Sequence, residues 1–201
     1  MAGPAPSAHF ASNIAYVRNL LALARSIDAA TTAAVDVGDI QRAAIVMAVS
    51  ALDHYVHEKA RQGMQEVLDG SRARTAAFER FPVSMSLLLD ARSDPAGDGW
   101  LDGAVRVQHG HRPFLKTEDI ADAIRLISDV KLWECVGQQL GTPAATVKVR
   151  LQTIVDRRNK IAHEADLDPT LPGRRWPITD RLASDAVDYV VAVVEAIEAS
   201  A

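Results

Sequence analysis

Residues 40–56 read IQRAAIVMAVSALDHYV, and this stretch determines the fold prediction. Two apolar stripes run through it at the 3.6-residue period of an α-helix. One stripe consists of Ile40, Ala44, Met47, Ala51 and Tyr55, and the other of Ile45, Val49, Leu52 and Val56. A helix that is apolar on two faces packs on several sides. The segment therefore predicts the central helix of an α-helical protein, extending over about residues 40–69.

The helical period recurs along the chain, and no alternating run is long enough for a convincing strand. Further long helices are predicted over about residues 7–34, from Thr142 to near His163, and from Thr179 to about Ile197. Shorter helices are predicted over about residues 83–91, 118–127 and 130–140, with a loop at 93–99. The expected N-caps are Gly38-Asp39, Thr117, Thr142 and Thr179.

These elements predict one all-α domain over residues 1–201. Its expected architecture is an antiparallel bundle of four to five long helices with a small helical insert. About six N-terminal residues and a few C-terminal ones are expected to lie outside the ordered part.

Composition narrows the class of protein. The chain has 201 residues, of which 48% are hydrophobic and 24% charged, and this balance is typical of a globular protein rather than a disordered one. The net charge of -4 excludes a general nucleic-acid coat protein, whose affinity comes from neutralising many phosphates. The lone Cys135 excludes an intrachain disulfide and is expected to be a buried, inert thiol.

Two features of the sequence bear on location. The start, Met-Ala-Gly-Pro-Ala-Pro-Ser, lacks the basic residues and apolar run of a signal peptide. The apolar stretch at 40–56 is interrupted by polar residues, so it is not expected to span a membrane. We expect a cytoplasmic protein with no membrane association.

The residues with the clearest chemistry are 157–163, RRNKIAH, at the predicted end of the helix that begins at Thr142. The guanidinium of Arg158, the amide of Asn159 and the imidazole of His163 can together hold a phosphodiester and move a proton at neutral pH without a metal. Asn159 and His163 share a helix face. Arg158 and His163 are about 140° apart, so one helix cannot easily direct both at one atom. Either the helix ends before His163, or a second copy supplies the partner across a two-fold axis.

Residues 157–164 (Arg-Arg-Asn-Lys-Ile-Ala-His-Glu), the segment 51–57 on the second helix and Trp133 before the motif helix resemble the HEPN superfamily, in particular its RiboL-PSP-type branch. The resemblance extends from about Ser12 to Ile197. It implies a dimeric, metal-independent endoribonuclease without a cofactor, which leaves a 2',3'-cyclic phosphate and a 5'-hydroxyl. Such enzymes often serve as toxins or in defence against phage, with an antitoxin or defence-system protein as a further partner.

The resemblance also implies roles for the motif residues. Arg158 would bind and stabilise the scissile phosphate, His163 would act as general acid or base, and Asn159 would orient the site. Family toxins that pair with a nucleotidyltransferase antitoxin usually have a tyrosine two positions after the histidine, where this chain has Ala165. That particular pairing is therefore not expected. Because some HEPN proteins are non-catalytic, an RNA- or protein-binding regulatory module is the alternative.

A basic segment surrounds the motif. Between Lys148 and Arg175 there are seven basic and four acidic residues, which predicts a local RNA-facing surface or, alternatively, a solvated helix face. Arg157 and Lys160 are the predicted substrate-binding residues, although Arg157 could instead pair with Asp156 or Glu164. Trp176 could stack a base or cover the bundle end.

Several other polar residues have more ordinary interpretations. Asp53 and His57 are predicted to support the site from the second helix. His54, His57 and Glu58 have helical spacings compatible with a metal, but no further ligands are arranged around them, so no metal is predicted. His109-Gly110-His111 is expected at the surface. Glu164 and Asp166 are expected to face solvent, although they could instead orient the imidazole of His163. Without the resemblance, Arg158 and His163 would be read as solvated residues that favour the helix dipole, and the chain as a structural helical dimer or adaptor.

Overall fold

The computed structural model describes residues 5–32, 34–93, 99–110 and 112–201. Within these ranges the chain forms nine helices and no β-strand, so the all-α prediction is confirmed. The helices are α1 (Pro6–Thr31), α2 (Gly38–Leu68), α3 (Ala76–Glu79), α4 (Met85–Ser93), α5 (Gly99–His109), α6 (Thr117–Arg125), α7 (Leu132–Gln139), α8 (Ala144–His163) and α9 (Asp180–Ser200).

Helix α2 is the centre of the fold and packs against α1, α5, α6, α8 and α9. Tyr55 and Leu52, from its two predicted apolar stripes, are completely enclosed. Burial on both stripes confirms that a helix with two apolar faces is covered on several sides. Two residues of the stripes are not buried: Ile40 is half-buried, and 42% of the surface of Met47 remains exposed.

Four long helices form the bundle. Helices α1 and α2 are antiparallel, with the rings of Phe10 and Tyr55 in edge contact at 5.8 Å. Helix α9 returns to α1 and is joined to it by an ion pair between Arg25 and Asp180, whose atoms lie 2.8 Å apart. Helix α8 contacts α9 through Tyr189, whose hydroxyl donates to the carbonyl of Val147 at 3.3 Å.

The shorter helices form the insert between α2 and α8. Helix α5 was not anticipated from the sequence; it packs on α2, where Arg61 pairs with Asp102 at 3.1 Å. The predicted loop at 93–99 begins at the last residue of α4 and ends at the first of α5, and its residues 94–98 lie outside the described part of the chain. Gly63 allows close packing, because a Cβ atom there would lie 2.6 Å from the side chain of Ile127.

Only one of the predicted N-caps is correct. The side chain of Thr179 accepts a hydrogen bond from the backbone N–H of Leu182 and so caps α9. Gly38 and Thr117 are instead the first residues of their helices, which Val37 and Lys116 precede without side-chain cap bonds.

The proposed cap at Thr142 is also wrong, because its hydroxyl donates to the carbonyl of Leu140 and Pro143 occupies the N-cap position of α8. Among the described residues, no helix combines the length and the apolar character needed to cross a bilayer.

Candidate functional site

Helix α8 carries the motif and continues through His163. Its buried face is formed by Val147, Leu151 and Val155, and Lys160 and His163 lie in the last turn, where positive charge favours the helix dipole. The helix therefore does not end before the histidine, and Arg158 and His163 remain about 140° apart around the axis. The first of the two arrangements considered from the sequence, a helix that ends before His163, is therefore wrong, and the second, in which a second copy supplies the partner, stays a prediction.

Arg158 continues the buried face of α8, three residues after Val155, and is half-buried. Its Nη1 donates to Oδ1 of Asn159 at 3.1 Å, so the motif arginine and asparagine are in direct contact. Its Nε is buried and has no hydrogen-bond partner among the described residues. The guanidinium is thus held by Asn159 and retains donor capacity for a ligand oxygen.

His163 lies at the exposed end of α8. Within the described part of the chain we find no hydrogen bond or ion pair to its imidazole. Asn159 is one turn earlier on the same face. One chain therefore presents the amide and the imidazole on one face of α8 and the guanidinium on the adjacent face.

Arg157 differs from its neighbour because its guanidinium is already engaged. Its Nη2 donates to Oδ2 of Asp166 at 2.8 Å and approaches the carbonyl oxygens of Trp176 and Pro177, each at 3.2 Å. Burial lowers the pKa of Arg157, and the carboxylate of Asp166 opposes this shift. The suggested pairing with Asp156 or Glu164 is wrong, and these contacts make Arg157 a residue that holds the end of α8.

Asp166 is the residue that sequence reasoning placed wrongly. It was expected to face solvent, but only 1% of its surface is exposed. Besides Arg157 it accepts a hydrogen bond from Nε of Arg42 at 2.7 Å. We call Arg42, Arg157 and Asp166 the clamp. The sequence contained one indication of this contact. Arg42 is a charged residue inside the apolar stretch 40–56, and a buried arginine requires a buried acceptor.

The clamp is made possible by a turn directly after α8. Ala165 and Asp166 both adopt left-handed backbone conformations, with φ of 51° and 59°. The chain then forms a hairpin over residues 166–176, in which the N–H of Trp176 donates to the carbonyl of Asp166 at 2.9 Å. A single antiparallel bridge joins Leu167 to Arg175. The hairpin folds back on the end of α8 and on the start of α2.

Lys160 and Trp176 meet at this end of the bundle. The Lys160 ammonium lies 5.3 Å from the centroid of the indole ring, within the range of a cation–π contact. Trp176 is half-buried, as expected if it covers the bundle end. Arg174 is exposed beside it, and Arg175 forms an ion pair with Asp39. The last turn of α8 and the hairpin thus place Lys160 and Arg174 at the same end of the bundle, where the acidic Asp39 and Glu164 are also exposed.

Asp53 and His57 are not brought to the motif within one chain. They lie 11 and 15 residues after Arg42 on α2, which corresponds to about 16 and 22 Å along the helix. Asp53 accepts a hydrogen bond from the N–H of Phe114 at 2.6 Å, and the His57 ring packs on Phe114 at 4.5 Å. Their observed role is to anchor the segment before α6.

His109 is buried at the end of α5, so its predicted position at the surface is wrong. Burial lowers its pKa to about 4, with further contributions from His57 and Arg112. Its neighbour His111 lies outside the described residues. Across the described ranges, no three or more histidine, cysteine, aspartate or glutamate side chains are grouped so as to hold a metal ion.

Comparisons of this chain with protein-family models, with curated proteins and with solved structures found no match. The likeness to HEPN proteins therefore depends on the motif residues and their place in the sequence.

Proposed function

We propose that this protein is a metal-independent endoribonuclease of HEPN type that acts as a dimer. The observation that carries the proposal is the arrangement at the end of α8. There a half-buried Arg158 contacts Asn159, and an exposed His163 lies one turn beyond Asn159. These are the groups needed to bind a phosphodiester and transfer protons without a metal.

In the proposed reaction the 2'-oxygen of RNA attacks the adjacent phosphorus while the bond from phosphorus to the 5'-oxygen breaks. One His163 accepts the proton of the 2'-hydroxyl, and His163 of the second copy donates a proton to the departing 5'-oxygen. The Arg158 side chains stabilise the negative charge that develops on the phosphorane. The products are a 2',3'-cyclic phosphate and a 5'-hydroxyl, and no atom from a metal or cofactor is required.

The surroundings of the motif suit an RNA backbone. Lys160, Arg174 and His163 lie at the same end of the bundle in a chain whose net charge is -4. RNA attraction would therefore be local to this surface. Within the proposal, Lys160 contributes to substrate binding, whereas Arg157 contributes by holding the end of α8. A toxin or phage-defence role in the cytoplasm follows from the resemblance, with an antitoxin or defence protein as partner.

A non-catalytic RNA- or protein-binding module is the second candidate. It is favoured by the angle between Arg158 and His163 on one helix, because a single chain can bind a phosphate through Arg158 without placing His163 on the same atom. This module would need the guanidinium and not the imidazole.

Cleavage assays test the proposal. The purified chain should cut RNA in excess chelator and leave cyclic phosphate ends. His163→Ala and Arg158→Ala should each lose at least about a hundredfold in rate, the range expected on removal of an acid–base or charge-stabilising group. Arg125→Ala is the matched control, because its side chain is exposed on α6, in the helical insert rather than at the end of α8. Undiminished cleavage by either motif variant would refute the assignment. RNA binding without cleavage, lost only in Arg158→Ala, would identify the binding module.

A further inference from the structure

A cavity in the helical insert lies apart from the motif. It has a volume of about 230 Å³ and is formed where the end of α5, the segment before α6 and α6 itself meet residues 81–82. One of its residues is His109, whose ring lies 6.3 Å from that of His57. His57 is in turn about 22 Å along α2 from the clamp residue Arg42. Within one chain the cavity is therefore separate from the candidate site at the end of α8.

The cavity has a buried floor and an open side. The floor includes His109, Phe114 and Ala123, none of which has more than 7% of its surface exposed. Pro82 and Arg112 also belong to the lining, and both are exposed. The cavity thus combines enclosed surface with an entrance for a ligand, as is typical of small-molecule sites.

His109 is the polar group of the floor. Its Nδ1 is buried and has no hydrogen-bond partner among the residues that the structure describes. Burial lowers the pKa of His109 to about 4, so the imidazole is neutral at pH 7. A neutral imidazole has one nitrogen that donates a hydrogen bond and one that accepts. A buried polar atom without a partner is costly, and the cavity is the place from which a partner can come.

Aromatic and aliphatic side chains surround the imidazole. The ring of His109 stands nearly perpendicular to the rings of Phe114 and Phe81, with centroids 5.0 and 5.7 Å apart. Ala123 and Leu126 add aliphatic surface to the lining. These side chains favour a flat, apolar ligand, because aromatic rings pack well edge to face. A dry cavity of about 150 Å³ holds benzene, so a cavity of about 230 Å³ has room for a substituted benzene ring.

The charges of the lining are already paired. Arg112 and Asp122 both line the cavity and lie 3.4 Å apart. Arg112 also forms an ion pair with Asp119, and Asp122 forms one with Arg125. Among the described residues of the lining, no net charge of either sign remains for an ionic ligand. We therefore expect an uncharged occupant, since an ion would lose its hydration without gaining a free counter-charge.

We infer that this cavity binds a small neutral phenol. A phenolic hydroxyl both donates and accepts, so it can satisfy Nδ1 of His109 in either tautomer. The hydroxyl has a pKa of about 10 and is uncharged at pH 7. The aromatic ring of the ligand packs against Phe81 and Leu126, and its hydroxyl bonds to His109. Binding at this cavity does not depend on the proposed ribonuclease activity.

Isothermal titration calorimetry of the full chain with p-cresol and toluene tests the hydroxyl contact. The two molecules differ only in the hydroxyl group. p-Cresol should bind at least about fivefold more tightly, because it alone can bond to the imidazole, although toluene is the more hydrophobic molecule. The anion p-methylbenzoate should bind more weakly than p-cresol. No binding of p-cresol at millimolar concentration would mean that the cavity holds water alone. That result, or tightest binding of toluene or of the anion, would overturn the inference.

His109→Phe tests the location of the site. The substitution keeps a ring in the floor but removes both nitrogens, so toluene should then bind at least as tightly as p-cresol. His54→Phe is the matched control, because His54 is exposed on α2 and does not line the cavity, and it should keep the wild-type preference. A preference for p-cresol that persists in His109→Phe would contradict the assignment.

Nuclear magnetic resonance of the wild type locates the ligand without any substitution. Addition of p-cresol should shift the amide signals of residues 108–114 and 122–126 more than those of α8. Shifts centred elsewhere would place the ligand outside this cavity and overturn the inference. His163→Ala should bind p-cresol like the wild type, so that phenol binding and RNA cleavage succeed or fail separately.

A phenol can reach the cavity as a free molecule or as the tyrosine side chain of a peptide. N-Acetyltyrosinamide distinguishes these two sources. If it binds as tightly as p-cresol, the cavity admits a tyrosine whose backbone remains outside the entrance. If p-cresol binds and the tyrosine derivative does not, the ligand is a free phenol.

Discussion

Asp166 and Arg42 lie 124 positions apart in the sequence, and their side chains form a buried ion pair with 2.7 Å between Nε and Oδ2. Arg157 donates to the same carboxylate oxygen from the end of α8. One carboxylate therefore joins the start of α2, the end of α8 and the hairpin. Because this carboxylate lies next to the motif, substitutions of Asp166 and its partners can distinguish residues that stabilise the fold from residues proposed to act on RNA.

Asp166→Asn should be strongly destabilising. The amide preserves the shape and tolerates the left-handed backbone at this position, but it leaves two arginines without a buried counter-charge. Removing one partner of a buried ion pair costs about 3–5 kcal/mol, so we expect a loss of that order in the free energy of unfolding measured in urea. Glu164→Gln, at an exposed neighbouring position, should change it by less than about 0.5 kcal/mol. Equal stabilities of the two variants would contradict the clamp.

Arg157→Ala and Arg158→Ala should affect different properties: the first should lower the stability of the fold, and the second should lower the rate of RNA cleavage. The first removes a member of the clamp, so the unfolding free energy should fall by roughly 2–4 kcal/mol while folded protein keeps its affinity for RNA. The second removes the proposed phosphate ligand, so cleavage should fall at least about a hundredfold with little change in stability. Urea unfolding and single-turnover cleavage, measured on the same preparations, distinguish these patterns. A loss of stability confined to Arg158→Ala would reverse the roles assigned to the two arginines.

His109 should make the fold less stable in mild acid. Its pKa is about 4 in the folded protein, against an ordinary value of 6.5. Between these two pH values the unfolded chain takes up a proton that the folded chain does not, so stability falls as the pH decreases from 6.5 to 4 and this contribution is constant outside that window. The full effect is about 3 kcal/mol.

The measurement is urea unfolding at pH 7, 5.5 and 4 for the wild type and for His109→Leu. Other groups titrate in the same range, but they are shared by both proteins. The difference in stability between the two should therefore shift in favour of the leucine variant as the pH falls. A difference independent of pH would show that His109 does not titrate as described.

Gly63 and Gly103 should respond oppositely to alanine. A Cβ atom at Gly63 would lie within 2.9 Å of three atoms of Ile127, whereas at Gly103 its nearest neighbour is Leu87 at 3.9 Å. Gly63→Ala should therefore lose about 1–3 kcal/mol through overpacking. Gly103→Ala should gain about 0.5–1 kcal/mol, since alanine favours a helix over glycine. Thermal unfolding of both variants checks the contrast, and a stabilised Gly63→Ala would mean that α2 and Ile127 separate easily.

The long helices were predictable because their apolar period is local information. The central position of α2 followed from its two apolar stripes. Thr179 could be predicted as a cap because it directly precedes the helix whose apolar period begins at Leu182. The cap at Thr142 failed because Pro143 takes the extended N-cap conformation itself. Helix α5 was missed since residues 99–109 follow a glycine-rich segment that suggested a loop.

The site was predictable in part. The sequence placed Arg158, Asn159 and His163 at the end of one helix, where they are found. Arg42 inside the apolar stretch indicated that a buried acceptor was needed, but the sequence could not identify that acceptor as Asp166, which lies 124 positions away. Asp53 and His57 share α2 with Arg42 and were assigned to the motif, but the distance along the helix separates them from it.

The hairpin over residues 166–176 has a consequence for synthesis on the ribosome. A nascent chain that has emerged as far as Ala165 contains the whole motif, but Arg42 and Arg157 still lack the carboxylate that joins them, and α1 still lacks its ion pairs with α9. Chains of this length should leave the end of α8 unsecured. The N-terminal pair α1–α2 can form first, whereas the end of α8 is secured only when the hairpin has been translated.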